Sequence, residues 1–361
     1  LSKLDLSSNQ LKQFDVSAPL RTLRSLKLAN NQLHTLDVSV FPSLNLLYID
    51  QNFLSTVFGL DQCRALEVLS VREQKLSNRK STYLDIDLGK VKDIRKVFLS
   101  SNKLSTRALS PSAPLLGLQL LDAASCNLQS LPVDFSSNFP NLKVLNLNFN
   151  SLSIVTELVG LNCLSRLAIA GNSIARLRKL CQVLSRMGRT RHGQNCSLHK
   201  VDLRGNPLTL RFYPPALTGN GKEGDKRKMK AILEERKKRA KGRLDLASAL
   251  ADVGPHEGDK RTTLWEGDEE TPAGTELEID DPYTLPPADA HADQKYLSHL
   301  DDATRLRRSI FELMLYAGTG GSIKSLDGLE FRPVLVEGSD MDHAWSKLEQ
   351  LGVLKKKAIT E

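Results

Sequence analysis

At 361 residues the chain suffices for one long domain or two ordinary ones, and its 40% hydrophobic but 5% aromatic content suits a core of stacked Leu and Ile rather than large rings. Its five scattered cysteines (Cys63, Cys126, Cys163, Cys181, Cys196) show no paired spacing, which argues against a disulfide framework and for a reduced, intracellular setting. The net charge of +8 hides a segregation: residues 1–221 carry 27 basic and 14 acidic side chains, residues 222–243 carry 11 and 4, and residues 252–302 carry 3 and 15. Such blocks are expected on surfaces that meet charged partners or each other. No apolar run reaches the roughly 18 residues of a spanning helix and no signal peptide is visible, so a soluble protein is expected. The chain starts at Leu1 inside a sequence unit and without Met, as a piece of a longer protein would; the single sequon Asn195-Cys196-Ser197 is read as chance.

An internal period dominates the first half. The template L-x-x-L-x-L-x-x-N-x-L appears as Leu1, Leu4, Leu6, Asn9, Leu11 and again as Leu23, Leu26, Leu28, Asn31, Leu33. Further copies start at Leu44, Leu66, Ile94, Leu118, Leu142, Leu164 and Leu198, nine in all. In each, x-L-x-L-x reads as a short strand whose leucines point inward while the x residues point outward. Strands of successive coils then pair in parallel as a curved sheet. The ninth-position Asn turns the chain, and its amide can satisfy backbone groups opened by the turn. Gln74 and Cys126 replace it in two coils, with Cys expected to be the milder change because it is small and tolerates burial. The pattern defines an α/β leucine-rich-repeat solenoid, with a concave parallel sheet and short helices or turns on the convex side.

Copies follow one another at 22, 21, 22, 28, 24, 24, 22 and 34 residues, leaving little room for long convex helices. Residues 77–93 extend the fourth coil, and residues 176–197, rich in arginine, extend the eighth with what should be a full helix. The repeats are assigned to 1–211, an insertion to 212–294, and a C-terminal cap to 295–361. Within the insertion, 225–251 reads as a long basic helix and 252–294 as an acidic, Pro-containing linker, extended or draped over basic surface. In the cap, 295–317 reads as a helix stopped by Gly318. Ile323, Leu326, Leu329 and Phe331 read as a terminal coil, and a last helix starts near Ser339 and buries Trp345, Leu348 and Leu351.

Nothing here reads as catalytic. The seven histidines lack metal-ligand spacing, there is no Cys-x-x-Cys, and Gly318-Thr319-Gly320-Gly321 lacks the phosphate-loop spacing, so no metal and no cofactor are expected. The concave face is the natural binding surface. Its outward positions in coils three to seven include Leu46, Tyr48, Val68, Phe98, Leu120 and Val144, with Phe149 at the edge and polar positions on either side. An apolar patch with a polar rim is the anatomy of a protein-partner site, with Tyr48 and Phe98 as anchors; alternatively, the insertion 209–294 or the chain's own tail packs there. The basic runs Lys226-Arg227-Lys228 and Arg236-Lys237-Lys238-Arg239 could act in nuclear import or contact nucleic acid or acidic protein, or could be a solvated helix balanced by the acidic linker.

The repeats alone resemble the intracellular class of roughly 22-residue repeats that includes a phosphatase regulatory subunit and a splicing-particle protein. The segments RLRRSIFELMLYAGTGGSIKSLDGLEF (305–331) and DHAWSKLEQLGVL (342–354), after a basic-then-acidic insertion, resemble the C-terminal leucine-rich-repeat domain of fungal septation-initiation scaffolds. These are relatives of the mitotic-exit scaffold of the spindle pole body and, more distantly, of centriolin. The resemblance implies a non-enzymatic scaffold at the spindle pole body or cytoskeleton, held there by an anchor protein. It also implies signalling partners (a small GTPase with its GAP complex, and kinases) recruited largely through regions outside this sequence. Nucleic acid and membrane are not the expected partners. The alternatives are a nuclear phosphatase regulator, disfavoured by the 114 residues between Leu208 and Ile323, and a nuclear RNA-particle component.

Overall fold

The computed structural model describes residues 1–76, 83–187, 198–213 and 288–331, together with Ser346 and Gln350. Nine three-residue strands run parallel in sequence order: β1 Lys3–Asp5, β2 Ser25–Lys27, β3 Leu46–Tyr48, β4 Val68–Ser70, β5 Lys96–Phe98, β6 Leu120–Asp122, β7 Val144–Asn146, β8 Arg166–Ala168 and β9 Lys200–Asp202. Each pairs with its neighbours at equivalent repeat positions, so Leu26, Leu47, Leu69, Val97, Leu121, Leu145, Leu167 and Val201 stack as one buried column. Each such side chain contributes roughly 1.5–3 kcal/mol through burial that a lone coil could not achieve. The convex side carries single turns, as the short spacing requires: 3-10 turns at Leu60–Gln62, Leu88–Lys90 and Thr156–Leu158, and four-residue helices α1 (Thr106–Leu109) and α2 (Phe135–Asn138).

After each strand the chain must turn sharply. It does so with positive φ at one fixed position per coil: Ser8, Asn30, Gln51, Glu73, Ser101, Ser125, Phe149, Gly171 and Gly205. The next residue is the ladder asparagine. Asn52 donates to Leu28 O (2.9 Å) and Ile49 O (3.1 Å) and accepts from Leu33 N (3.1 Å), tying two coils together. Asn31, Asn150, Asn172 and Asn206 repeat this arrangement. Gln74 performs both roles, donating to Ile49 O (2.9 Å) and accepting from Leu54 N (3.0 Å). The Cys126 sulfur lies 3.4 Å from both Leu99 O and Ala124 O, and its single S–H is a weak donor shared between them. Contrary to the expectation from size, glutamine is therefore the closer substitute, because bonding matters more than volume here.

The long eighth coil holds helix α3 (Leu177–Arg186), as its length predicts, and that helix is the seat for the cap. The cap differs from its sequence reading in three ways. The single helix expected over 295–317 is two, α4 (Ala290–His299) and α5 (Asp302–Thr319), because Asp301 caps α5 by accepting from Thr304 N at 2.9 Å. Gly318 does not stop α5: a Cβ there would lie 3.1 Å from Ser185 Cβ of α3, so its bareness serves close helix packing, and the left-handed Gly320 ends the helix. The terminal coil is only half a coil. β10 (Ser325–Leu326) extends the parallel sheet, and the chain then reverses into β11 (Leu329–Glu330) through Asp327 and Gly328, both at positive φ. Asp-Gly between apolar residues is the usual sequence of such a hairpin turn. The proposed last helix with Trp345, the basic helix 225–251 and the acidic stretch 252–287 lie outside the described residues.

A buried polar cluster fastens the cap. Arg308 forms a two-pronged pair with Asp293 (2.8 and 2.7 Å), bonds Phe212 O (2.8 Å) and Glu312 (2.9 Å), and lies over the Tyr213 ring at 4.7 Å. The Tyr213 hydroxyl donates to Asp327 at 2.6 Å, and Leu203 N donates to the same carboxyl. Arg204 pairs with Asp202 through two bonds, at 3.0 and 2.6 Å, within the same cluster. Burial, reinforced by the nearby Asp202 carboxylate, pushes the Asp327 carboxyl up to about 7.

Candidate docking surface on the concave face

The strand register sets the concave face in columns. The first runs Lys3, Ser25, Leu46, Val68, Lys96, Leu120, Val144, Arg166, Lys200; the second runs Asp5, Lys27, Tyr48, Ser70, Phe98, Asp122, Asn146, Ala168, Asp202. Leu46 therefore abuts Val68, and Leu120 abuts Val144, with Lys96 between the two apolar pairs. Tyr48 and Phe98 are separated by Ser70, roughly 10 Å apart at the usual strand spacing.

Exposure distinguishes these residues. Leu46, Tyr48, Val68, Val144 and Phe149 are half-buried, whereas Phe98 and Leu120 are each only 5% exposed. All point away from the solenoid core, so the low exposure of Phe98 and Leu120 is set from the concave side. The Arg72 guanidinium lies over the Phe98 ring at 4.9 Å and is held by Ser70 Oγ (3.1 Å) and the Asp50 carboxylate (3.7 Å). Asp50 also accepts from Ser70 Oγ (2.6 Å) and Arg72 N (2.7 Å). Tyr48 stands beside this cluster, and burial raises its phenol above the usual range, keeping the hydroxyl a hydrogen-bond donor. Asp50 and Arg72 belong to a third outward column, after the second strand leucine, that two-column sequence reasoning passes over.

Phe149 sits at the turn after β7 with φ 57, a backbone region costly for a bulky side chain. Its ring lies against Gly171 of the next coil, where a Cβ would come within 2.6 Å of the ring edge. Toward the C-terminal coils the face turns polar: Asn146 donates to Asp122 at 2.9 Å, and Asn148 accepts from Ala170 N at 2.7 Å. Lys226, Arg227, Lys228, Arg236, Lys237, Lys238 and Arg239 lie outside the described residues. Among the described residues no group of His, Cys, Asp or Glu is placed to hold a metal ion, and no helix is long and apolar enough to cross a membrane.

Stacked parallel strands, an asparagine ladder and outward columns define a leucine-rich-repeat solenoid, and the leucine rich repeat family matches residues 116–174. The chain is similar to the septation initiation network scaffold protein cdc11 of Schizosaccharomyces pombe, at 32% identity over 181 residues, which is 50% of this chain and 16% of that protein. This match supports the resemblance carried by the C-terminal motifs. The chain is also similar to mouse podocan (30% over 161 residues, 43% of this chain and 22% of podocan). It thus spans a minor part of these relatives. Among solved structures, human trophoblast glycoprotein overlaps 57% of this chain and 77% of its own at 19% identity and TM-score 0.45. A Listeria monocytogenes internalin overlaps 58% and 65%, at 20% identity and TM-score 0.43.

Proposed function

We propose that this solenoid is the non-enzymatic, protein-binding domain of a septation-initiation scaffold, and that its concave face docks the protein anchoring the complex at the spindle pole body. The observation that carries the reading is the half-buried group Leu46, Tyr48 and Val68 beside the Asp50–Arg72 pair, set on a rigid parallel sheet. Aromatic and arginine side chains clustered on a fixed surface, with polar columns around them, are what interface hot spots are made of. Similarity to cdc11 supports the septation-initiation part of this reading. The signalling partners, a small GTPase with its GAP complex and kinases, would be brought by other regions of the scaffold. The division into repeats (1–211), insertion (212–294) and cap (295–361) is part of the same proposal.

The test is a Leu46→Glu/Tyr48→Glu variant of the fluorescently tagged full-length scaffold in dividing cells. Each buried hot-spot truncation costs a complex about 2 kcal/mol or more, so the focus at the pole should disperse. Val133→Glu, at a residue 92% exposed and away from the sheet, should leave the focus intact. A focus that survives the double change in a folded protein, or a wild-type signal spread through the nucleus, would overturn the reading.

A further inference from the structure

We propose that the strand-start edge of coils one to four binds a phosphomonoester carried on a peptide. Arg21, Arg24 and Arg64 line one open groove of roughly 820 Å³, with the hydroxyls of Thr22 and Ser43 between them and Asp93 at one end. The groove adjoins the concave strands at Arg24 and Asn45, but its arginines are not among the docking residues named above, so it does not depend on that reading. Arg21 and Arg64 occupy the same repeat position two coils apart, and the coil between them carries Pro42 there, leaving a trough between two guanidiniums. All three arginines are exposed, and none forms an ion pair among the described residues.

Two arginines farther along the solenoid do have carboxylate partners, Arg95 with Glu67 at 4.0 Å and Arg107 with Asp85 at 3.9 Å. Three unmatched guanidiniums around one groove form a concentrated positive field. Guanidinium forks fit the paired oxygens of a phosphate better than any lysine cluster does, and a phosphomonoester carries close to two charges at neutral pH. The backbone beneath is fixed: Arg24 O accepts from Asn45 N (2.8 Å) and Leu46 N (3.0 Å), and Thr22 Oγ donates to Leu1 O (3.0 Å). Peptide is favoured over nucleic acid because no aromatic side chain lines the groove for base stacking and Asp93 closes its end to a continuing polyanion.

The experiment immobilises the full chain and passes over it a degenerate nonapeptide pool with a central phosphoserine or phosphothreonine, beside the same pool unphosphorylated. We expect the phosphorylated pool to be retained about tenfold better, since three exposed guanidinium contacts to one phosphate, each modest alone, together supply about that factor. Millimolar inorganic phosphate should compete. Arg21→Ala/Arg24→Ala/Arg64→Ala should abolish retention without moving the melting temperature, Asp93→Asn should raise it a few-fold, and Arg95→Ala should leave it unchanged. Equal retention of both pools, no retention of either, or full retention by the triple variant would overturn the proposal. So would binding of phosphatidylserine vesicles through these arginines without retention of the phosphorylated pool, which would assign the groove to a membrane surface.

Discussion

At the β1 end Leu4 and Leu6 are half-buried and Leu1 is 70% exposed, whereas at the β9 end the equivalent Val201 and Leu203 are 1% and 0% exposed. The two coils share one template and differ in what covers them. This sequence begins inside coil one, so only its face toward coil two is described; coil nine lies between coil eight and a cap of α4, α5 and the β10–β11 hairpin. Apolar cover is half of what that cap supplies. Inside the solenoid the N–H just after each strand's last residue goes to the next coil, as Ile169 N does to Asp202 O at 2.9 Å. At coil nine the hairpin reverses where that carbonyl would be, and Leu203 N is received by the Asp327 side chain instead. Closing a repeat array therefore demands a substitute acceptor as well as apolar surface, and a buried carboxyl supplies it.

Breaking the cap should cost most. Arg308→Ala strands the buried Asp293 and Phe212 O, and should destabilise the C-terminal end by about 3–5 kcal/mol, seen as early loss of amide-exchange protection in coils eight and nine while coils two to six stay protected. Truncating equivalent leucines sharpens the contrast: Leu203→Ala should cost about 2–5 kcal/mol in denaturant unfolding, and Leu6→Ala, already half in water, less than half as much. Gly318→Val should push α5 from Ser185 and cost about 1–3 kcal/mol, with α3 rather than the sheet showing the first loss of protection.

A separate effect at the same end concerns pH. Asp327 keeps its proton to about 7 in the fold, whereas an unfolded aspartate releases it near pH 4. Between those values the folded state binds more protons, so this group's contribution is full at low pH and falls as pH rises toward 7. Thermal unfolding of the cap should show that downward slope, and Asp327→Asn should flatten it; a wild-type slope of opposite sign would contradict the burial of the carboxyl.

The concave columns were legible because a repeat of fixed strand length pairs without slippage, so Leu46 had to meet Val68 and Leu120 had to meet Val144. What the letters did not disclose was the covering of Phe98, since Arg72 comes from a different coil and from a third column. The expected helix stop at Gly318 failed for a related reason: glycine marks an ending and a close approach with the same letter, and only the packing partner tells them apart.

The sequence by itself determined the solenoid, the number of its parallel strands before the insertion and the order of residues along its concave face. These follow from local periodicity, which each coil satisfies with its immediate neighbours. Only the tertiary structure decided how the array ends, because that turns on Asp327, Tyr213, Arg308 and Asp293, residues separated by up to 114 positions. Their pairing inside a low-dielectric interior obeys no period, and so leaves none to read.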